Sequence, residues 1–95
     1  MQDLGTLSGD FASLGLGIND GGVVVGASIG PAFSTFRAFL WKKGTMTDLN
    51  TLVDTNPANL YLLEGVSINS SGEIIGLAVD EVGSLHGFLA IPRSR

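Results

Sequence analysis

The chain has 95 residues and no cysteine, so it suits one small domain held by its hydrophobic core, without disulfides or a thiolate metal site. Only 15% of the residues are charged and the net charge is −4, with no cluster of lysine and arginine, which excludes nucleic acid and anionic membranes as expected partners. Hydrophobic residues reach 44% and glycine contributes 14 residues, which indicates a folded protein rich in tight turns.

In chain order, apolar stretches of strand length, bounded by glycine, proline, asparagine or serine, predict eight short strands. The predicted strands are Met1–Gly5, Ala12–Ile18, Val23–Ser28, Phe36–Trp41, Met46–Asn50, Tyr61–Ile68, Glu73–Val79 and Leu85–Ile91. No stretch shows helical periodicity over the dozen or so residues that a parallel crossover needs. The short turns between the strands therefore predict antiparallel meanders.

The strands fall into two tandem units, residues 1–45 and 46–95, because the same landmarks recur in the same order. The pattern Met-x-Asp-Leu-x-Thr-Leu begins at Met1 and again at Met46, and Ile-Asn-x-x-Gly begins at Ile18 and again at Ile68. Each unit offers strands that we letter d, a, b and c. A repeat of about 45 to 50 residues with four strands has the size of one β-propeller blade.

The blocks DLGTL, GINDGGVVVGAS, RAFLWKKGTMTDL, GVSINSSGEIIG and HGFLAIP resemble the HAF repeats of bacterial, often extracellular, proteins. The resemblance covers nearly the whole chain and implies a propeller-like fold, an extracellular location and no established catalytic residue. The second unit departs from the pattern, with Gly87 in place of the usual alanine and a longer connection through Asp54 to Pro57. Near Met1 we find neither the basic nor the apolar region of a signal peptide, and no uninterrupted apolar stretch of membrane-spanning length.

The strand order d-a-b-c-d-a-b-c lets the first blade use Met46–Asn50 as its fourth strand, but it leaves the second blade without one and Met1–Gly5 without a partner. Two blades also leave two apolar faces uncovered. The sequence therefore predicts an all-β fold of two four-stranded antiparallel propeller-blade units, completed into a β-propeller by homo-oligomerisation. A trimer with six blades is favoured over a tetramer with eight, and a symmetric dimer or a fragment of a longer propeller are the alternatives. The expected interface residues are Met1, Asp3, Leu4, Leu85, Phe88, Leu89 and Ile91.

The sequence contains no recognisable catalytic machinery, metal site or cofactor motif. Gly26–Gly30 matches the G-x-S-x-G pattern of hydrolases, but Pro31 and a predicted strand follow it, whereas that motif needs a strand-to-helix turn. His86 is the only histidine, so a zinc site of several histidines is excluded within one chain, and a structural hydrogen-bond donor is the simpler interpretation. Carboxylates that might hydrolyse glycosides are not paired in the sequence. They are Asp54, Glu64, Asp80 and Glu81.

The best candidates for ligand contact are aromatic and amide residues in or beside the d-to-a and b-to-c connections, which share one end of a propeller. These residues are Phe11, Phe33, Asn56, Asn59 and Tyr61. Aromatic rings presented there suit sugar rings or peptide side chains. We therefore expect a non-enzymatic binding or scaffolding module that assembles with itself and takes a carbohydrate or protein ligand. The alternatives are a carboxylate-dependent glycoside hydrolase or lyase on the oligomer axis, and a purely structural repeat.

Overall fold

The computed structural model describes residues 1–56 and 58–92, and over this range the chain is all-β, as predicted. The strands are β1 (Ala12–Ile18), β2 (Val24–Ile29), β3 (Phe36–Lys42), β4 (Thr45–Asp48), β5 (Tyr61–Ile68), β6 (Ile74–Val79) and β7 (Leu85–Ala90). They form a four-stranded sheet, β1-β2-β3-β4, and a three-stranded sheet, β5-β6-β7, and all neighbours are antiparallel. Short 3₁₀ turns lie at Pro31–Phe33 and Leu49–Thr51, and the described residues contain no α-helix. Pro57 and residues 93–95 of the predicted second unit lie outside the described residues.

The two sheets repeat the same strand register. Gly26 pairs with Phe39 in the first sheet, and Gly76 pairs with Phe88 in the second. Each phenylalanine ring lies over the glycine opposite it, because a Cβ added at Gly26 would lie 3.0 Å from Phe39 Cε2 and one added at Gly76 would lie 2.7 Å from Phe88 Cε2. The glycine in each second strand is therefore what allows the ring to approach the sheet this closely.

The turns that join the first two strands of each unit are also copies of each other. The side-chain oxygen of Asn19 accepts hydrogen bonds from the backbone N–H groups of Gly21 and Val23, and Asn69 Oδ1 accepts them from Ser71 and Glu73. This is the local capping chemistry for which asparagine is favoured in turns. The glycine at the fourth position of each turn has a positive φ, as the sequence pattern predicts.

The strand predicted over Met1–Gly5 does not form, which corrects the expectation of four strands in each unit. Residues 1–6 are irregular, whereas the corresponding residues of the second unit form β4, paired with β3. The physical reason is that an isolated segment has no partner for its backbone N–H and C=O groups, so it gains nothing from the extended conformation. In the described chain the second sheet consequently ends at β7.

The hydrophobic core lies between the two sheets. Val25 and Ala38 of the first sheet are fully buried there, and they share one cluster with Leu62 and Ile74 of the second sheet. The sheets approach closely where side chains are absent, since a Cβ added at Gly65 would lie 2.9 Å from Val25 Cβ. Alternate residues of β2 point to opposite faces of the sheet, so Val24 and Ser28 face away from this core.

The opposite face of the first sheet is partly covered by the N-terminal segment. Leu7 is buried there and its backbone N–H donates to Ser28 Oγ at 3.0 Å. Leu4 lies against the same face, because its Cδ1 atom is 3.7 Å from the position that a Cβ on Gly15 would occupy. The result is that β2 is buried on both faces over nearly its whole length, while β6 is not.

Candidate functional site on the loop rim

One end of the two sheets carries a group of loops that we call the rim. Because neighbouring strands are antiparallel, the segment before β1, the β2–β3 loop, the β4–β5 connection and the β6–β7 loop all lie at this end. The rim comprises residues 8–11, 30–35, 49–56, 58–60 and 80–84. Loops held by a rigid sheet are where binding residues concentrate in many folds.

Phe11 and Phe33, two of the predicted ligand-binding residues, meet on the rim as an edge-to-face pair. Their ring centroids are 5.4 Å apart and the ring planes cross at 87°. Both side chains stay accessible, with 54% and 64% of their surface exposed. Phe33 and the preceding Ala32 have φ values of 59° and 56°. This is the left-handed conformation, which residues other than glycine rarely adopt. The strained loop therefore presents an aromatic pair to solvent.

Arg37, at the start of β3, lies between two carboxylates. Its Nη2 atom is 3.0 Å from Asp10 Oδ2 and donates to the Ser8 carbonyl, and its Nη1 atom is 3.8 Å from Asp48 Oδ2. The Asp10 side chain is only 6% exposed. Its Oδ2 atom accepts no hydrogen bond with good angles from the described residues, so the charge of Arg37 is what compensates it. This cluster connects the segment before β1 to the ends of β3 and β4.

Tyr61, the third predicted aromatic residue, stands at the start of β5, within the electrostatic influence of the Arg37 cluster. Burial raises the pKa of its hydroxyl, the negative charges of Asp48 and Asp10 raise it further, and Arg37 lowers it. The phenol is therefore neutral at ordinary pH. Tyr61 presents a hydrogen-bond donor and an aromatic face at a part-exposed position.

The two predicted asparagines serve the loops that contain them. Asn56 Nδ2 donates to the carbonyl of Leu60, and the backbone N–H of Leu60 donates back to Asn56 Oδ1. Asn59, at a positive φ of 51°, donates from Nδ2 to Glu81 Oε2 and so joins the second unit's two rim loops. Both amide nitrogens and Asn56 Oδ1 thus form hydrogen bonds within the rim loops, and the role of the two asparagines in ligand binding stays a prediction.

Asp80, one of the four carboxylates of the predicted catalytic alternative, forms hydrogen bonds within its own loop. Asp80 Oδ1 accepts from the backbone N–H groups of Val82 and Ser84, and its Oδ2 atom is 2.8 Å from His86 Nε2. The hydrogen bond from His86, followed by that from Ser84, holds the pKa of Asp80 below its usual value. Ser28, the serine of the G-x-S-x-G match, is fully buried.

A second surface of interest is the open edge at β7, where the sequence predicts an oligomer interface. Leu85, Leu89 and Ile91 are exposed there, while Phe88 is half-buried against the first sheet. The N-terminal part of the predicted interface lies at the other end of the chain, on the far face of the first sheet. Met1 and Asp3 are exposed and Leu4 is half-buried. Within one chain, the residues of the predicted interface therefore form two separate surfaces, one at β7 and one in the N-terminal segment.

The Arg37 cluster is the part of the site that sequence reasoning did not assemble. From the sequence, Arg37 is interpreted only as a hydrogen-bond donor that recurs at the position of His86. Its two carboxylate partners are distant in the chain, since Asp10 lies 27 residues before it and Asp48 lies 11 residues after it. The repeat gives part of this information, because its strand order places Asp48 beside the third strand, which carries Arg37.

Comparison of the chain with family models, with curated proteins and with solved structures gives no match. The resemblance to HAF repeats therefore stays a prediction. Within residues 1–56 and 58–92, no helix is long and apolar enough to cross a membrane. Over the same residues, no group of three or more histidine, aspartate or glutamate side chains is arranged to hold a metal ion.

Proposed function

We propose that the protein is a non-enzymatic scaffolding and binding module whose blade units stack head to tail into a closed β-propeller. The observation that carries this proposal is a pair of complementary end surfaces. The front face, on the first sheet, is formed by Ile18, Val24 and Trp41. The back face, on the second sheet, is formed by Ile75, Leu85 and Leu89.

Each end surface is the repeat counterpart of a surface that is buried between the two sheets. Ile18 is 67% exposed on the front face, whereas its counterpart Ile68 is 7% exposed inside the core. Ile75 is 52% exposed on the back face, whereas its counterpart Val25 is completely buried. The two end surfaces thus match the two halves of the existing core, and stacking one copy on another would bury them in the same way.

A polar contact at the other end of the sheets follows the same logic. Asn19 Nδ2 donates to the backbone carbonyl of Asn69 at 3.0 Å, which connects the first turn to the second. The amide of Asn69 donates instead to Glu73 of its own turn. In a head-to-tail assembly, Asn69 takes the role of Asn19 toward the next copy.

Head-to-tail contacts form closed assemblies when the rotation between copies closes. Three copies would supply six blades and four copies eight, and the trimer is the form we favour. The extracellular location that the repeat resemblance implies belongs to the same proposal.

Solution mass tests the assembly. We expect sedimentation at micromolar concentration to give a mass several times the 9.8 kDa of one chain. Ile75→Asp puts a charge on the back face and should yield monomers, because burying an unpaired carboxylate is strongly unfavourable. Val82→Asp is the matched control, since Val82 is an exposed loop residue outside both end surfaces. A native chain of 9.8 kDa at this concentration would contradict the proposal.

A ligand surface on the rim is the second part of the proposal, and the exposed Phe11–Phe33 pair favours it. Aromatic faces bind sugar rings and apolar peptide side chains, and a strained loop conformation is retained where it has a use. We expect binding on a glycan or peptide array, lost in Phe33→Ala. Val82→Ala is the control, because Val82 is an exposed rim residue that belongs to no aromatic pair. Equal binding by both variants would remove the rim as the ligand surface.

A further inference from the structure

The open edge of β7 borders an apolar cleft between the two sheets. The cleft has a volume of about 1170 Å³. Its apolar lining includes Leu52, Val53, Leu60, Phe88, Ala90 and Ile91. An unpaired strand edge beside an apolar cleft is a site for strand addition, because backbone hydrogen bonds supply affinity while alternate side chains fill the pocket.

The first sheet shows which segment suits such an edge. There β4 pairs with β3, with Met46 opposite Trp41, Thr47 opposite Leu40 and Asp48 opposite Phe39. The repeat places Met1, Gln2 and Asp3 at the positions of Met46, Thr47 and Asp48, and places Ala90, Leu89 and Phe88 at the positions of Trp41, Leu40 and Phe39. The N-terminal residues are therefore a second copy of the strand that β7 lacks in the described chain.

One hydrogen bond of the N-terminal segment matches the turn that follows β4. The backbone N–H of Gly5 donates to Asp3 Oδ1 at 2.9 Å, and in the first sheet the N–H of Asn50 donates to Asp48 Oδ1 at 3.0 Å. The same aspartate cap thus forms at both positions. Residues 1–3 belong to no strand, and in the described chain β7 has no fourth strand beside it.

The charges at the two positions also correspond. In the first sheet Asp48 Oδ2 is 3.8 Å from Arg37. In the second sheet His86 occupies the register position of Arg37. It lies two residues before Phe88 in β7, so the two side chains point to the same face of the sheet. Asp3 added beside β7 would therefore bring its second carboxylate oxygen toward His86.

We propose that Met1–Asp3 of one copy adds to the edge of β7 in a second copy, with Met1 opposite Ala90, Gln2 opposite Leu89 and Asp3 opposite Phe88. In this register the Met1 side chain points to the same face as Ala90 and enters the apolar cleft, while Asp3 faces His86. The pairing rests on the proposed function, because it specifies how the head-to-tail assembly closes its sheets.

A disulfide between two copies tests this register, since the native chain has no cysteine to compete. The test variant carries Gln2→Cys together with Leu89→Cys, which would be directly opposite each other. We expect oxidation to give covalent multimers on a non-reducing gel, reversed by a reductant. Multimers should form in the same variant at every concentration at which the reduced protein assembles.

Two matched variants control for geometry. Leu40→Cys with Thr47→Cys reproduces the same pair inside the first sheet, where the residues are already opposite each other, and should form a disulfide within one chain. Gln2→Cys with Ile91→Cys moves one cysteine two residues along β7, so that the two cysteines are diagonal neighbours about 7–8 Å or more apart. This distance is too long for a disulfide, and the thiols should stay free.

The outcomes separate the register from the assembly. Reduced protein that assembles but does not cross-link through Gln2→Cys and Leu89→Cys, or that cross-links equally through Ile91→Cys, would overturn the register and leave the assembly standing. A disulfide within single chains would overturn exchange between copies. A reduced protein that is monomeric would overturn both. Deleting residues 1–3 gives an independent measure, and it should raise the dissociation constant of the assembly by about tenfold or more. An unchanged constant would also overturn the pairing.

Discussion

The two units share a strand register but differ in what surrounds them, and Val25 and Ile75 show the difference most clearly. They occupy the same position in the second strand of each unit, yet one is completely buried and the other is half exposed. Both are β-branched apolar residues. The difference in burial therefore comes from the presence of a neighbouring sheet and not from the residue, and the proposed stacking of one copy on another rests on this difference.

The largest expected loss of stability distinguishes Phe39 from its repeat counterpart Phe88. Phe39 is completely buried and Phe88 is half-buried beside the cleft. Phe39→Ala should lower the free energy of unfolding by about 3–5 kcal/mol, while Phe88→Ala should cost the single chain clearly less, because it removes less buried surface. Urea unfolding at a concentration too low for assembly measures both. Equal losses would mean that the two environments are energetically alike.

The next comparison is between Arg37 and His86, which share a register position. Arg37→Ala leaves the buried Asp10 carboxylate without its cation and should destabilise the fold by about 2–3 kcal/mol. His86→Ala breaks a contact between exposed groups and should cost clearly less than Arg37→Ala. Thermal unfolding of the two variants gives the ranking. If Asp10→Asn restores no stability to Arg37→Ala, the buried charge is not the cause.

Gly17 lies in the core between the two sheets, whereas Gly87 lies on the open back face. A Cβ on Gly17 would lie 2.9 Å from the Cα of Ser67 in the other sheet, whereas one on Gly87 would meet only the Gly76 carbonyl at 3.9 Å. Gly17→Ala should therefore destabilise the fold by about 1–2 kcal/mol. Gly87→Ala copies the alanine found at position 38 and should be neutral or slightly stabilising. Chemical unfolding tests this order, and a larger loss for Gly87→Ala would reverse it.

The smallest effect concerns the single tyrosine, at the junction of the two units. The absorbance titration of Tyr61 should show a pKa above 10.0, because burial and the charge of Asp48 oppose ionisation. Asp48→Asn should lower this pKa and Arg37→Ala should raise it. Since the folded pKa exceeds the unfolded one, the stabilisation is present below pH 10 and is lost as the pH rises through the folded pKa. A tyrosine that titrates at its ordinary value in the native chain would show that the junction is open to solvent.

Much of the fold could be predicted from the sequence because the signals are local. Strands β1 and β5 have the predicted limits, Ala12–Ile18 and Tyr61–Ile68, since alternating apolar residues and asparagine turns act over a few residues. The ends of the other strands shift by one or two residues. The strand over Met1–Gly5 was predicted wrongly for the single chain, because strand formation depends on a partner that local sequence does not contain.

The candidate site was only partly predictable. The placement of Phe11 and Phe33 on one rim, and of Tyr61 beside it at the start of β5, follows from strand order, which the sequence indicates. Their contacts do not, because the left-handed conformation at Phe33 and the approach of Arg37 to Asp10 depend on how separate loops pack. Asn56 and Asn59 are predicted to contact a ligand because they are amide residues beside the aromatic residues of the d-to-a connection, and the structure shows their amides bonded within the rim loops.

By itself, the sequence determined the all-β class, the two tandem units, their strand order and their turns, because these depend on residues close together in the chain. The tertiary structure decided which apolar faces are buried and which are exposed, where the β7 edge opens, and how Arg37 reaches two distant carboxylates. Those properties arise from contacts between segments far apart in the chain, and only the packing of one sheet on another brings such segments together.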